Sequence, residues 1–123
     1  MRDESFTVFV QDQLRSLGSV ECRAMFGGYG LYRRGVFFGI IFRGRLYFKT
    51  DDATRPQYLD RGMKPFRPSA TQTLKHYYEV PADMLEESEQ LAEWASQSVE
   101  CGTAASARRG NTHGRLPRRL IRQ

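Results

Sequence analysis

The chain is poor in the residues that build metal and redox sites. Its 123 residues include two cysteines and two histidines. Cys22 and Cys101 are too far apart in sequence to match a zinc-binding pattern, and His113 is distant from His76, which falls on a predicted strand. The sequence therefore predicts no metal site and no cofactor. We interpret the two cysteines as reduced thiols of a cytosolic protein, and the alternative is a disulfide or a redox role.

Long hydrophobic runs are also missing. No apolar stretch approaches the ~20 residues that a membrane-spanning helix needs. The charged residues Arg2, Asp3 and Glu4 open the chain, and an amphipathic segment follows them where a signal peptide would be apolar. We therefore predict a cytoplasmic protein with no membrane partner.

The sequence has no pattern that is typical of an active site. Gly27, Gly28 and Gly30 lie between predicted strands and lack the Lys-Ser/Thr ending of a phosphate-binding loop. We identify no local partner of either cysteine that would lower the pKa of its thiol, and partners distant in sequence cannot be recognised at this stage. We expect the protein not to be an enzyme.

Acidic residues are absent from the last part of the chain. Residues 101–123 carry a charge of +6, so residues 1–100 carry −1 of the net +5. The same stretch is rich in Gly, Ala and Ser and has few apolar anchors, which predicts a disordered tail over 101–123 after a folded domain over 1–100. The arginines of this tail are Arg108, Arg109, Arg115, Arg118, Arg119 and Arg122.

The first half of the domain has a helix pattern and then a β-meander pattern. Apolar residues recur at helical spacing from Phe6 to Leu17, and Gly18 follows as a helix stop. From Arg23 to Lys49, glycines recur between aromatic and aliphatic residues, which is typical of consecutive tight hairpins. The predicted strands are 21–26, 28–33, 36–43 and 45–49.

The second half adds a short helix, two strands and a last helix. Asp51 and Asp52 favour a helix start, and Tyr58 and Leu59 give that helix apolar residues to bury. The predicted strands are 64–68 and 73–80, and Pro65 and Pro68 make the first of them either an edge strand or a weak strand. The last helix is predicted to begin at Pro81. The fold class is α+β, with helices packed on one face of an antiparallel meander.

The order of many of these residues resembles the N-terminal domain of the TfoX/Sxy family, which is associated with the regulation of natural DNA transformation. The resemblance implies a secretion-chaperone-like α+β fold, a homodimer and a regulatory role in transcription without an enzymatic step. It also implies a protein partner in the transcription machinery, such as a factor like the cyclic-AMP receptor protein. The matching residues are Met25, Phe26, Gly27, Gly28, Gly30, Leu31, Tyr32, Phe38, Gly39, Leu46, Tyr47, Lys49, Tyr58, Gly62, Pro65, Phe66, Tyr77, Tyr78, Glu79, Pro81, Leu85 and Trp94.

The chain departs from the family pattern in two respects. Full-length competence regulators carry a second, helical domain that resembles helix-hairpin-helix DNA-binding modules, and residues 101–123 are too few and too polar to form it. We therefore expect a stand-alone N-terminal domain. Family members usually have Asp-Gly at the two hairpin turns, where this chain has Arg34-Gly35 and Arg43-Gly44.

Basic residues on the meander are candidate nucleic-acid contacts. They stand among Tyr29, Tyr32 and Tyr47, and such a mixture can hold phosphates and stack on bases. The alternative is that they are turn charges which discourage edge-to-edge pairing of sheets. The tail arginines can attract phosphates without sequence preference, and the alternative is that the tail is a solubilising or mispredicted end. The candidates on the meander are Arg33, Arg34, Arg43, Arg45 and Lys49.

The nearly all-apolar stretch 36–42 indicates contact with a protein partner. It has more hydrophobic surface than one sheet face normally needs, so a second helix layer or a partner must cover it. We nominate Phe37 and Ile41 there, and Glu86, Glu87 and Glu93 on the last helix, whose acidic face is either solvated or a docking surface. Regulation by protein contact is the first hypothesis, and nonspecific nucleic-acid binding is the alternative.

Overall fold

The computed structural model describes residues 3–25 and 27–111. Helix α1 and a 3-10 turn (Arg15–Leu17) precede a four-stranded meander, and helix α2 separates it from a second hairpin. A 3-10 turn (Ala82–Glu86) and a long helix, α3, follow. The bounds are α1 Asp3–Gln13, β1 Glu21–Met25, β2 Gly28–Arg33, β3 Val36–Phe42, β4 Arg45–Lys49, α2 Arg55–Leu59, β5 Pro65–Ser69, β6 Gln72–Glu79 and α3 Ser88–Asn111.

Two-residue turns join β2 to β3 and β3 to β4. Arg34 and Gly35 have φ of 51° and 80°, and Arg43 and Gly44 have φ of 51° and 75°. Positive φ at both central positions is the type I′ geometry, whose twist matches that of the flanking strands. The two glycine turns that the sequence predicts are therefore confirmed.

All six strands form one antiparallel sheet in the order β1-β2-β3-β4-β6-β5. The second hairpin joins the meander through β6, which pairs with β4. The strand that carries Pro65 and Pro68 is β5, and it lies at one edge as predicted, while β1 forms the other edge. The α+β meander is confirmed.

The helices pack on a single face of the sheet, which we call the inner face. Tyr58 and Trp94, from α2 and α3, lie 4.5 Å apart between ring centroids. Leu59 is 53% exposed, so the prediction that it anchors α2 is wrong: a helix of five residues presents only Tyr58 to the core. The buried core of the inner face consists of Phe6, Val10, Leu14, Leu31, Phe38, Ile41, Leu46, Phe48, Tyr58, Tyr78, Val80, Met84, Leu91, Trp94 and Ala95.

A β-bulge in β3 changes which side chains point to the inner face. Its pairing with β2 shifts from Leu31↔Gly39 to Tyr32↔Phe37, so Phe38 faces the helices and packs on Phe48 at 6.0 Å. Ile41 is also fully buried in the inner core. The nomination of Ile41 as a partner contact is therefore wrong. Without the bulge, strict alternation would have placed the Ile41 side chain on the same face as that of Phe37.

The C-terminal helical region differs from the prediction at both ends. Pro81 is extended (φ −56°, ψ 138°), and Glu87 (φ −105°, ψ 81°) separates the 3-10 turn from α3. Helix α3 continues past residue 100 to Asn111, and Cys101 is buried. The predicted domain boundary at residue 100 thus falls inside a helix, because the alanine-rich stretch keeps helical propensity.

Four of the tail arginines, Arg115, Arg118, Arg119 and Arg122, lie outside the described residues. Arg108 and Arg109 belong to the last turns of α3.

Among the described helices, none is long and apolar enough to cross a membrane.

Candidate interaction surface

The face of the sheet opposite the helices, which we call the outer face, carries its own apolar cluster. Ile40, Tyr47 and Phe66 are buried there, and every member of the cluster belongs to a strand. In the described part of the chain, no helical residue contributes to it. The partly buried members are Phe37, Phe42, Leu74 and Tyr77.

Aromatic rings run across the outer face in two groups. Tyr32, Phe37 and Tyr77 form a row over β2, β3 and β6, with ring centroids 5.1 Å and 5.5 Å apart. Phe66 is the centre of the second group and lies 5.3 Å from Phe42 and 4.6 Å from Tyr47. Tilted ring pairs at these distances add to the stabilisation from burial.

Cations flank both aromatic groups. Arg23 lies over the ring of Tyr32 at 4.3 Å, and the ammonium of Lys49 lies over the ring of Tyr77 at 5.0 Å. The guanidinium of Arg43 lies 5.0 Å from the Phe42 ring. These distances permit cation–π attraction. The outer face therefore combines an apolar centre with a basic rim.

The predicted basic residues do not form one patch. The turn at Arg34 and the turn at Arg43 lie at opposite ends of β3, which has seven residues and so spans about 23 Å. Arg33 points to the inner side, where its Nε donates to the carbonyl of Leu17. Tyr29 also packs on the inner core. Successive turns of a meander always alternate between the two ends of the sheet, so this separation could have been read from the strand order.

Arg45 is paired within the chain. Its Nη1 donates to both carboxylate oxygens of Glu79 at 3.0 and 3.1 Å. The Glu79 side chain is 23% exposed, and its charge offsets that of Arg45 at that end of the sheet. Nucleic-acid contact by the meander residues stays a prediction.

The nominated glutamates lie on the helical side. Glu86 belongs to the 3-10 turn, Glu87 to the break after it and Glu93 to α3, and all three are exposed. They are therefore not on one continuous helix. Their role as a docking surface stays a prediction.

A polar cleft of about 510 Å³ lies where β4, β6 and α3 approach the start of α2. Arg55 is held there by Thr50 Oγ1 at 3.1 Å and Asp52 Oδ1 at 3.0 Å, and its Nη2 lies 3.3 Å from His76 Nδ1. Burial, followed by the charges of Arg55 and Lys49, lowers the pKa of His76. A neutral imidazole can accept the hydrogen bond from Arg55. Acidic and basic groups balance in this cleft, and the described residues include no group of three metal ligands.

Sequence reasoning missed several residues of the outer face. Arg23 and Phe66 are not among the predicted contacts because their partners, Tyr32 and Tyr47, lie on other strands. Phe42 is predicted only as part of an apolar run. The strand register supplies the signal that was lacking, since side chains on paired strands share a face.

The chain matches a known protein family. The sequence model of the TfoX N-terminal domain matches residues 12–102. This range begins near the end of α1, includes all six strands and ends with Gly102 in α3. No curated protein matches the chain.

Proposed function

Because the chain belongs to the TfoX N-terminal domain family, we propose that it is a non-enzymatic regulatory protein that acts in transcription by binding a protein partner. One observation carries the proposal. The outer face presents partly exposed aromatic side chains that no described helix covers. Contiguous apolar surface of this kind is typical of interaction sites in soluble proteins.

The composition of the outer face suits a protein interface. Phe37 and Tyr77 are partly exposed members of its aromatic cluster, and Arg23, Arg43 and Lys49 lie beside rings of the outer face. Aromatic residues and arginine are enriched at interfaces between proteins. The matching partner surface would have apolar side chains at its centre and acidic residues at its rim. A transcription factor like the cyclic-AMP receptor protein is the candidate that the family suggests.

Substitution on the outer face tests this proposal. We expect the double change Phe37→Ser and Tyr77→Ser to weaken binding of a purified factor of that type about tenfold or more, as removal of aromatic anchors does at other interfaces. Val8→Ser is the matched control, because Val8 is 67% exposed on α1. Equal binding by all three proteins, measured by titration calorimetry, would exclude the outer face as the contact.

Direct, nonspecific binding to nucleic acid is the second candidate function. Lys49 and Arg43 beside aromatic rings favour it, as does the arginine-rich end of the chain. Binding to duplex DNA would then fall steeply with salt, because phosphate contacts release counterions. The full chain and a version that ends at residue 111 separate the contributions of domain and tail. Retention of a steep salt dependence by the shorter version would favour the outer face.

A further inference from the structure

The two edges of the sheet differ in their capacity to accept another strand. At one edge, β5 contains Pro65 and Pro68, which have no backbone N–H to donate. At the other edge, β1 contains no proline, and Glu21, Arg23 and Ala24 are exposed. An edge strand with free N–H and C=O groups is a template for pairing. Within residues 3–25 and 27–111, the edge that can accept another strand is therefore β1.

We propose that β1 pairs antiparallel with β1 of a second copy of the chain, so that the two sheets join edge to edge. This junction adjoins the outer face and shares Arg23 with its rim, but it does not depend on the proposed function. A twofold axis perpendicular to the sheet relates the copies, so each contributes the same strand. This arrangement keeps both helical layers on one side of the joined sheet.

Charge selects the register of the pair. Alternate residues of a strand share a face of the sheet. The inner and outer faces therefore continue across the junction only if odd-numbered residues of one copy lie opposite odd-numbered residues of the other. This requires the twofold axis to pass between the two copies of one residue. With the axis at Cys22, Glu21 of each copy lies opposite Arg23 of the other. With the axis at Glu21 or at Arg23, like charges lie opposite each other, which destabilises a cross-strand pair. The sequence of β1 is thus complementary to itself in one register.

The bridge within a single chain does not compete strongly with this pairing. Arg23 Nη2 lies 3.4 Å from Glu21 Oε1, and both side chains are more than half exposed. Exposed pairs of this kind contribute little to stability. Each charge can therefore exchange its partner for the one on the second copy at little cost.

Charge reversal and mixing test the register. We expect the wild-type chain to increase from monomer to dimer mass with concentration in light scattering. The Glu21→Arg variant and the Arg23→Glu variant, each alone, place like charges opposite each other and should stay monomeric. An equimolar mixture should recover the dimer, because every opposed pair across the mixed junction then combines an arginine with a glutamate. Within each variant chain the two charges are alike, so recovery cannot arise from the intrachain bridge.

Cys22 provides a second, independent readout. In the proposed register the two Cys22 residues lie opposite each other, with Cα atoms about 4.5–5.5 Å apart, which is within the range for a disulfide. Burial raises the pKa of the Cys22 thiol to about 11, so an added oxidant such as diamide is needed. Diamide removes the two thiol hydrogens and is itself reduced to the hydrazine. We expect the Cys101→Ser variant to form a covalent dimer and the Cys22→Ser variant not to.

Controls keep the result unambiguous. Glu93→Arg reverses an exposed charge on α3 and should leave dimerisation unchanged, and circular dichroism verifies that each variant is folded. The outer-face double variant should also dimerise normally. A monomer at all concentrations would overturn the proposal. So would a dimer that persists in both single charge variants and gives no Cys22 cross-link.

Discussion

Gly102 of α3 lies directly against the backbone of Phe37 at the start of β3. A Cβ atom at position 102 would be 2.8 Å from the Phe37 carbonyl oxygen and 2.7 Å from Val36 Cγ1. Helix and sheet approach this closely because the helix has no side chain at that point. The contact also explains why the domain continues beyond residue 100.

We expect Gly102→Ala to destabilise the protein, although alanine favours helices by about 1 kcal/mol over glycine. The added methyl group meets a backbone atom that cannot move aside, and overpacking of this kind costs about 1–3 kcal/mol. Urea unfolding followed by circular dichroism measures the difference. Thr103→Ala, at the next and exposed position of α3, is the control and should unfold at the wild-type midpoint or above it. A stabilised Gly102→Ala variant would contradict the close contact.

The bulge in β3 predicts unequal costs for truncating its two nominated side chains. Ile41 is fully buried on the inner face, so Ile41→Ala should lower the free energy of unfolding by about 2–5 kcal/mol. Phe37 is partly exposed on the outer face, and Phe37→Ala should cost less than Ile41→Ala. Denaturant titrations of both variants check this order. A larger loss at Phe37 would mean that the bulge is absent.

The hairpin turns predict a stabilising change. Arg34 has a φ of 51°, and asparagine adopts this conformation more readily before glycine in a type I′ turn. We expect Arg34→Asn to raise the free energy of unfolding by about 0.5 kcal/mol. Arg43→Asn makes the same change in the second turn but removes the guanidinium that lies over Phe42, so its gain should be smaller. Thermal denaturation of both variants compares the two turns, and a greater gain at Arg43 would show that its cation–π contact contributes nothing.

The hydrogen bonds to the Asp51 carboxylate predict a contribution to the free energy of unfolding that is lost in acid. Its Oδ1 accepts hydrogen bonds from the backbone N–H groups of Thr54 at 2.9 Å and Ala53 at 3.0 Å. The bond from Thr54 is the main cause that lowers the pKa of Asp51 in the folded state. The contribution of the Asp51 carboxylate to the free energy of unfolding is therefore complete above its unfolded pKa of about 3.9. It is lost as the pH falls through the lower pKa of Asp51 in the folded state.

Unfolding midpoints measured from pH 7 to pH 2 test this effect. Asp51→Asn should be less stable than the wild type at pH 7, and the difference should shrink as the solution becomes acidic. Asp60→Asn, which removes another exposed carboxylate near α2, provides the baseline. A difference that stays constant over the whole range would contradict the role of Asp51.

The strands and turns of the meander could be predicted because glycine marks positions with unusual backbone geometry. Gly35 and Gly44 follow arginines in the left-handed region, and few residues other than glycine complete such turns. The bulge could not be predicted from the sequence. The stretch Val36 to Phe42 is apolar on both faces, so it has no alternation of apolar and polar residues that would show where the side chains change face. Phe37 and Ile41 were therefore nominated together from one apolar run, although they face opposite sides.

The site was harder to predict than the fold because its groups come from strands that are distant in sequence. The row of Tyr32, Phe37 and Tyr77 depends on the pairing of β4 with β6. Likewise, the pairing of Arg45 with Glu79 is invisible until that register is known. Basic residues that appear clustered along the chain are separated by the meander itself.

The prolines of β5 have a consequence for assembly. A protein with two receptive edges could add copies indefinitely and form filaments. Here a twofold junction at β1 would use the receptive edge of both molecules, and both remaining edges would carry Pro65 and Pro68. Growth would stop at two copies, so the same residues that end the sheet also protect the protein against open-ended polymerisation.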